Sequence, residues 1–240
     1  MKIQGCDISR YQDDITTAKR IDFAKMKAAG VEFVLMRALF GTTQDRDFAY
    51  NWKAAKAAGL LVGLYAFLTF DGTQAQFDAL MKLTGGDFGD ITPTIDYEPY
   101  NYNGLVTVPP VSSLTSYLGM LQTACGKYPM IYTGYYVWRD NGNVNPMWVK
   151  HPLWIATYAA QPMIPAPWTE YAVWQYTNKG SGPIYGVESL DIDLDYFNGT
   201  RDELKNLGSM KPVIPVPPID QDALLALTAR VAELERWRRA

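Results

Sequence analysis

The chain has 240 residues, 48% of them hydrophobic and 20% charged, with a formal net charge of -3. That length and balance give a globular protein able to bury a substantial core. Acids and bases are interspersed rather than gathered in blocks, so nothing electrostatic points to a nucleic-acid or anionic-membrane partner. Met1-Lys2-Ile3-Gln4-Gly5-Cys6 runs straight into an apolar strand, without the basic, apolar and small-residue regions of an export signal. The longest apolar run, 60–70, is interrupted by Gly63 and Thr69 and falls short of the roughly 18 residues a membrane span needs. A soluble protein is expected.

In chain order, short apolar strands alternate with helices closed by glycine, the pattern of a mostly parallel α/β architecture. A strand at 3–7 precedes a helix at 22–29, where Phe23 and Met26 share a face and Gly30 marks the end. A strand at 31–38 is followed by a helix at 47–58, with Phe48, Trp52 and Ala55 at helical spacing, and then by a strand at 61–67. A helix at 73–83 precedes a strand at 92–98. A helix with Leu114, Leu118, Leu121 and Cys125 on one stripe precedes a strand at 130–133. Segments 153–158, 171–176 and 190–197 read as three further strands, joined by proline- and glycine-rich loops too short for full helices. Eight strands with fewer than eight helices predict an irregular (β/α) barrel, with its site at the carboxyl ends of the strands.

The barrel is expected to occupy residues 1–207. Residues 208–219, rich in proline, read as a semi-rigid linker. In 220–240, Leu224, Leu227, Val231 and Leu234 fall on a heptad seam closed by a basic run, a short amphipathic helix. Under two heptads support self-association and docking on the barrel equally.

Cys6 and Cys125 read as buried free thiols. The single histidine, His151, stands before Pro152 at the mouth of a strand and reads as a loop residue. With one histidine, the usual His-based triads and multi-His metal sites cannot be assembled, and no metal site is expected.

Chemistry concentrates in acids at strand ends. In Pro-Thr-Ile-Asp-Tyr-Glu-Pro, the strand period of two sends Asp96 and Glu98 to one face, about 6.5 Å apart at Cα. Like charges so close raise one pKa and keep one carboxyl protonated near neutral pH, the asymmetry that glycoside hydrolysis uses. Asp7 ends the first strand and Asp193 lies in the last, where a barrel gathers them with the first two. The alternation Asp191, Asp193, Asp195 imitates a calcium loop, but the sixth position holds Tyr196 instead of glycine and the twelfth Asp202 instead of glutamate. Aromatic side chains cluster at strand ends: Tyr65, Phe67, Tyr97, Tyr132, Trp154, Tyr158, Trp174 and Tyr176. Tyrosines there, with hydroxyls free to hydrogen-bond, are the better candidates for holding a sugar.

Taken together, these segments resemble the family-25 glycoside hydrolases, lysozymes of the N,O-diacetylmuramidase kind, over about residues 3–207. The resemblance rests on Gly5-Cys6-Asp7-Ile8-Ser9-Arg10-Tyr11-Gln12, Asn51-Trp52-Lys53-Ala54-Ala55-Lys56-Ala57-Ala58-Gly59 and Val62-Gly63-Leu64-Tyr65. It continues in Ile95-Asp96-Tyr97-Glu98, Tyr128-Pro129-Met130-Ile131-Tyr132-Thr133, Leu153-Trp154-Ile155-Ala156-Thr157-Tyr158, Val173-Trp174-Gln175-Tyr176-Thr177 and Asp193-Leu194-Asp195-Tyr196-Phe197-Asn198-Gly199. It implies an irregular barrel, no cofactor, and hydrolysis of the β-1,4 bond between N-acetylmuramic acid and N-acetylglucosamine in bacterial peptidoglycan.

By position, the resemblance makes Glu98 the general acid and then base, and Asp96 the residue that orients the substrate's 2-acetamido group, with Asp7 and Asp193 flanking the cleft. Tyr65, Phe67, Tyr132, Trp154, Tyr158, Gln175 and Tyr176 are the expected substrate contacts. Two positions depart from the pattern. Arg37-Ala38-Leu39-Phe40-Gly41 replaces a Lys-Ala-Thr-Glu-Gly-like run, which removes an expected polar contact, and Ala66 stands where histidine often follows the third-strand tyrosine. A non-catalytic peptidoglycan-binding barrel and a chitinase-like hydrolase are the competing readings. The absent export signal fits a phage lysin made in the host cytoplasm and acting on the wall after release through a separate pore.

Overall fold

The computed structural model describes residues 2–14 and 16–210. The expected helix at 220–240 and the linker beyond Met210 lie outside the described residues. Among those described, no helix is long and apolar enough to cross a membrane.

Among the described residues, eleven strands occur in chain order: β1 (Ile3–Ile8), β2 (Phe33–Phe40), β3 (Thr43–Gln44), β4 (Leu61–Phe67), β5 (Thr94–Asp96), β6 (Tyr100–Tyr102), β7 (Leu105–Thr107), β8 (Met130–Gly134), β9 (Leu153–Ala156), β10 (Val173–Ser181) and β11 (Asp191–Phe197). Six α-helices accompany them: α1 (Phe23–Ala28), α2 (Phe48–Ala57), α3 (Thr73–Thr84), α4 (Val111–Cys125), α5 (Tyr135–Asn141) and α6 (Arg201–Lys205). Strands β1, β2, β4, β5, β8, β9, β10 and β11 pair in that order, and β11 pairs back to β1 to close an eight-stranded barrel. Neighbours from β1 through β10 are parallel. β11 is antiparallel to both β10 and β1, so the barrel is mostly parallel, as the alternation of strands and helices predicts, and is closed by one antiparallel strand.

Strand alternation splits the apolar side chains into two cores. Phe33, Leu35, Leu61, Tyr65, Met130, Tyr132, Trp154, Val173 and Phe197 fill the barrel interior. Residues of the opposite parity on these strands, Val34, Met36, Val62, Leu64, Ile131, Ile155 and Leu194, face outward, against Met26, Ala55, Leu80, Leu114, Leu118 and Leu121 of the helices. Burying both faces explains why several strands read as nearly continuous apolar runs. Gly5 is part of this interior: a Cβ there would lie 2.2 Å from the Phe33 ring, so the absent side chain is what admits the phenyl group.

The helix stops follow from glycine. Helices α3 and α4 end on Gly85 (φ 61°) and Gly126 (φ 66°), both left-handed caps. Capping also shapes the starts, with Asp22 accepting from the Lys25 N–H at 2.8 Å.

Several features depart from expectation. Helices are not confined to the first part: α5 follows β8 and is anchored by Trp138, which packs edge-on against Trp148 and Trp168. Seven residues with one dominant anchor carry too little periodicity to be seen in sequence. The strand holding Asp96 is only three residues long, and Glu98 lies beyond its end. The hairpin β6–β7 turns on Asn103 (φ 51°) and Gly104 (φ 84°), an Asn-Gly pair that favours such turns.

His151 sits in a connection, as expected, but is buried. Its Nδ1 lies 2.9 Å from the Pro129 carbonyl, and burial lowers its pKa. Because a carbonyl only accepts, Nδ1 carries the proton and the ring pins the β9 entrance to the β8 entrance. Both cysteines are free thiols, Cys6 buried and Cys125 half-buried.

Candidate active site

At the carboxyl ends of the parallel strands lies a pocket of about 210 Å³, lined by residues that include Asp7, Arg37, Tyr65, Phe67, Asp96, Glu98, Tyr132, Trp154, Gln175 and Asp193. All four acids singled out from the sequence converge here. Asp7 comes from β1, Asp96 from β5, Asp193 from β11, and Glu98 from the segment that follows β5, two residues after Asp96. Antiparallel pairing sets Asp7 directly opposite Asp193.

The polar groups form one network. Gln175 donates from Nε2 to Asp7 at 2.7 Å, while its Oε1 accepts from the Tyr132 hydroxyl at 3.0 Å and the Tyr158 hydroxyl at 2.8 Å. Trp154 donates from its indole to Asp195 at 2.7 Å. One oxygen each of Asp96 and Asp195 is buried without a hydrogen-bond partner.

Burial is the main force on the carboxyls, since it disfavours the charged form. It pushes Glu98 up to about 7, with the charge of Asp193 adding to it. Asp193 is raised to about 6 by burial and then by Asp191, against the pull of Lys179. Asp195, fully enclosed, is raised to about 8 by burial, against the hydrogen bond from Trp154. Asp7 is driven well above the usual carboxylate range by burial and by Asp193 and Asp195. Asp96 is driven up by burial and by Glu98, and Arg37 opposes the rise. Five acids in one small volume are therefore all shifted above the usual carboxylate range, so ionised and neutral carboxyls stand side by side near neutral pH.

The expected substrate contacts divide. Phe67 lines the pocket; Tyr65 and Tyr132 line it too but are each only 8% exposed, and the Tyr132 hydroxyl is engaged by Gln175. Trp154 is a floor rather than a platform, 1% exposed and packed on Tyr132 with ring centroids 4.4 Å apart. Tyr158 stands exposed at the rim, joined to Gln175. Tyr176 is a correction: it lies outside the pocket lining, stacked on Tyr196 at 4.3 Å. Neighbours on a strand face opposite sides, so Gln175 and Tyr176 cannot both reach the interior.

Three contributions were missed in the sequence. Asp195 follows Asp193 by two residues on β11 and shares its face, a signal the strand period already carries. Ser9, Tyr11 and Gln12 also line the pocket, where a 3-10 turn capped by Ser9 follows β1. Arg37 is the third. Within the run that departs from the family pattern, this guanidinium lines the pocket and pairs with Asp45 at 2.8 Å at a site only 10% exposed. A register shift in the β2–β4 pairing directly follows it.

The comparisons agree with this architecture. The sequence pattern described as Glycosyl hydrolases family 25 matches residues 6–184. Lysozyme M1 of Streptomyces globisporus is 28% identical over 220 residues, covering 86% of this chain and 71% of its own. The N,O-diacetylmuramidase of Chalaropsis sp is 29% identical over 223 residues, 86% of this chain and 99% of its own. The solved structure of a muramidase from Trichobolus zukalii superposes with a TM-score of 0.68 at 28% identity, over 86% of this chain and 99% of that one. With a closed barrel, an acid-lined pocket at its carboxyl end and a family match over most of its length, this chain belongs to the glycosyl hydrolases of family 25.

Proposed function

We propose that the protein is a muramidase that hydrolyses the β-1,4 bond between N-acetylmuramic acid and N-acetylglucosamine in bacterial peptidoglycan, with Glu98 as general acid. Family membership and the lysozyme and muramidase names of its relatives support the activity. The observation that carries the assignment of Glu98 is its position: it is partly buried in the pocket, two residues after Asp96, with its carboxyl pushed up to about 7 by burial and then by Asp193. A carboxylic acid poised near the working pH is suited both to give a proton and to take one back.

In this reading Glu98 protonates the glycosidic oxygen as the bond to the anomeric carbon breaks. The oxygen of the substrate's own 2-acetamido group bonds to that carbon from the opposite face, and Asp96 orients the group and balances the positive charge that develops. Water then attacks the same carbon, gives its proton to Glu98 and releases the acetamido oxygen, so configuration is retained. Support for this route is that Asp96 and Glu98 come from one strand end rather than facing each other across a sugar. Asp7 and Asp193 flank the cleft.

The test is reducing-end release from purified peptidoglycan by the wild-type chain and by Glu98→Gln, with mass spectrometry of the fragments. New muramic-acid reducing ends that vanish in the variant are expected. Binding without release by the wild type would sink the catalytic assignment, and release from chitin oligomers in place of peptidoglycan would make the enzyme chitinase-like.

A further inference from the structure

Beside the pocket, aromatic rings continue outward in an unbroken series that the reaction itself does not require. Phe67, at the end of β4, lines the pocket and stacks on Phe40 of β2 with centroids 4.6 Å apart. Tyr100, which opens the hairpin, meets both rings edge-on at 5.6 and 5.8 Å. It then leads to Phe70 at 5.9 Å and to Tyr102 at 6.1 Å, and those last two stack on each other at 4.4 Å. The Phe70 backbone N–H donates to the Tyr100 hydroxyl at 2.7 Å, which fastens the hairpin to the loop after β4.

Two of these rings remain open to solvent, Phe40 at 38% and Tyr102 at 42%. Phe40 stands in the run Arg37-Ala38-Leu39-Phe40-Gly41, where the family resemblance leads one to expect a polar side chain. A solvent-facing phenyl group in that place, continuous with the pocket wall, needs a reason beyond packing, because exposing an aromatic ring forgoes its apolar burial.

We infer that Phe40 and Tyr102 form an accessory subsite that stacks N-acetylhexosamine rings of the glycan strand beyond the residues held in the pocket. The inference rests on the muramidase reading for the identity of the glycan. Pyranose rings present C–H faces that suit flat aromatic surfaces, and the array begins at a pocket-lining residue, so one linear polymer can occupy both at once. A platform of this kind acts on chain length: oligomers too short to reach it gain nothing, whereas long strands gain the energy of one or two stacked rings.

The test measures binding rather than turnover, using Glu98→Gln chains that carry Phe40→Ala, Tyr102→Ala or neither. Calorimetry with a peptidoglycan tetrasaccharide and with soluble glycan strands several times longer gives the affinities. The parent is expected to bind long strands more tightly, each substitution to weaken that binding about three- to tenfold while tetrasaccharide affinity stays where it was, and Phe40→Tyr to restore it. If the rings serve only to dock the hairpin, melting temperature falls and the length dependence persists, which overturns the subsite. Equal parent affinity for short and long glycans overturns it as well. Reducing-end release by the wild-type chain is scored separately, so failure of the muramidase reading is distinguishable from failure of the subsite.

Discussion

Gln175 on β10 reaches past β11 to donate a 2.7 Å hydrogen bond to Asp7 on β1. Its carbonyl end is held by the Tyr132 and Tyr158 hydroxyls, so the amide has one orientation and presents its N–H to a carboxylate oxygen. That donor favours the charged form of Asp7 against the burial that opposes it. Gln175→Glu replaces the donor by a second acceptor facing Asp7. Activity is expected to fall by more than about tenfold, whereas Gln175→Ala, which leaves three polar groups short of a partner, lowers stability by about 1–3 kcal/mol. Chemical denaturation alongside kinetics on peptidoglycan separates the two effects.

Glu98→Gln keeps the shape of the side chain and removes its transferable proton. The kcat is expected to drop about a hundred- to ten-thousandfold, with substrate affinity retained. In the wild type, the loss of activity at alkaline pH should track the deprotonation of a group near the value of about 7 held by Glu98. Any residual activity of the variant should lack that limb. A pH profile of kcat/KM on soluble glycan checks both points.

The raised carboxyls also make stability depend on pH. Glu98 moves from an ordinary 4.5 to about 7, and Asp193 from 3.8 to about 6. Between each pair of values the folded chain binds more protons than the unfolded chain, so their stabilising contribution is full below the unfolded value and is lost as pH rises through the folded one. The melting temperature is therefore expected to climb as pH falls from 8 towards 5, within the limits set by ion pairs elsewhere such as Arg37–Asp45. Glu98→Gln should raise stability at pH 8 by on the order of 1 kcal/mol and change it little at pH 4.5. Calorimetric melts at the two pH values decide it, and a variant destabilised equally at both would contradict it.

Arg37 couples fold and chemistry. It is paired with Asp45, 1% exposed at its side chain, and its charge opposes the rise of Asp96. Arg37→Gln leaves Asp45 with backbone donors from Arg10 and Asp47 but no cation, a loss of about 3 kcal/mol. It also lets the pKa of Asp96 rise further, so the acidic limb of the activity profile moves to higher pH. Arg37→Lys retains the charge and should hold that limb in place, an outcome that a purely structural role would not produce.

Most of the barrel was legible because burial on two faces leaves a strong mark on a sequence. All eight barrel strands and the first four helices stand where apolar runs, helical stripes and glycine stops put them. The closing strand's direction was not legible, since one apolar strand reads alike in either sense. Asp7, Asp96, Glu98 and Asp193 were found from strand ends alone. Asp195 and Tyr176 were misjudged for one reason, parity along a strand, which assigns the first to the interior and the second away from it. Arg37 was read only as a departure from a pattern; its role depends on Asp45, eight residues away across the β2–β3 turn, and that pairing is tertiary. The hairpin beyond Glu98 carried its own signal in Asn103-Gly104, overlooked because the strands beside it are three residues long.

The first and last strands of the barrel are direct neighbours, with Asp7 set against Asp193. A ribosome delivers these two aspartates at opposite ends of the domain, so a nascent chain lacking β11 has neither a closed wall nor the full ring of acids. Completion of the domain is thus the event that assembles the pocket, because closure of the wall and convergence of the acids both wait for the last strand.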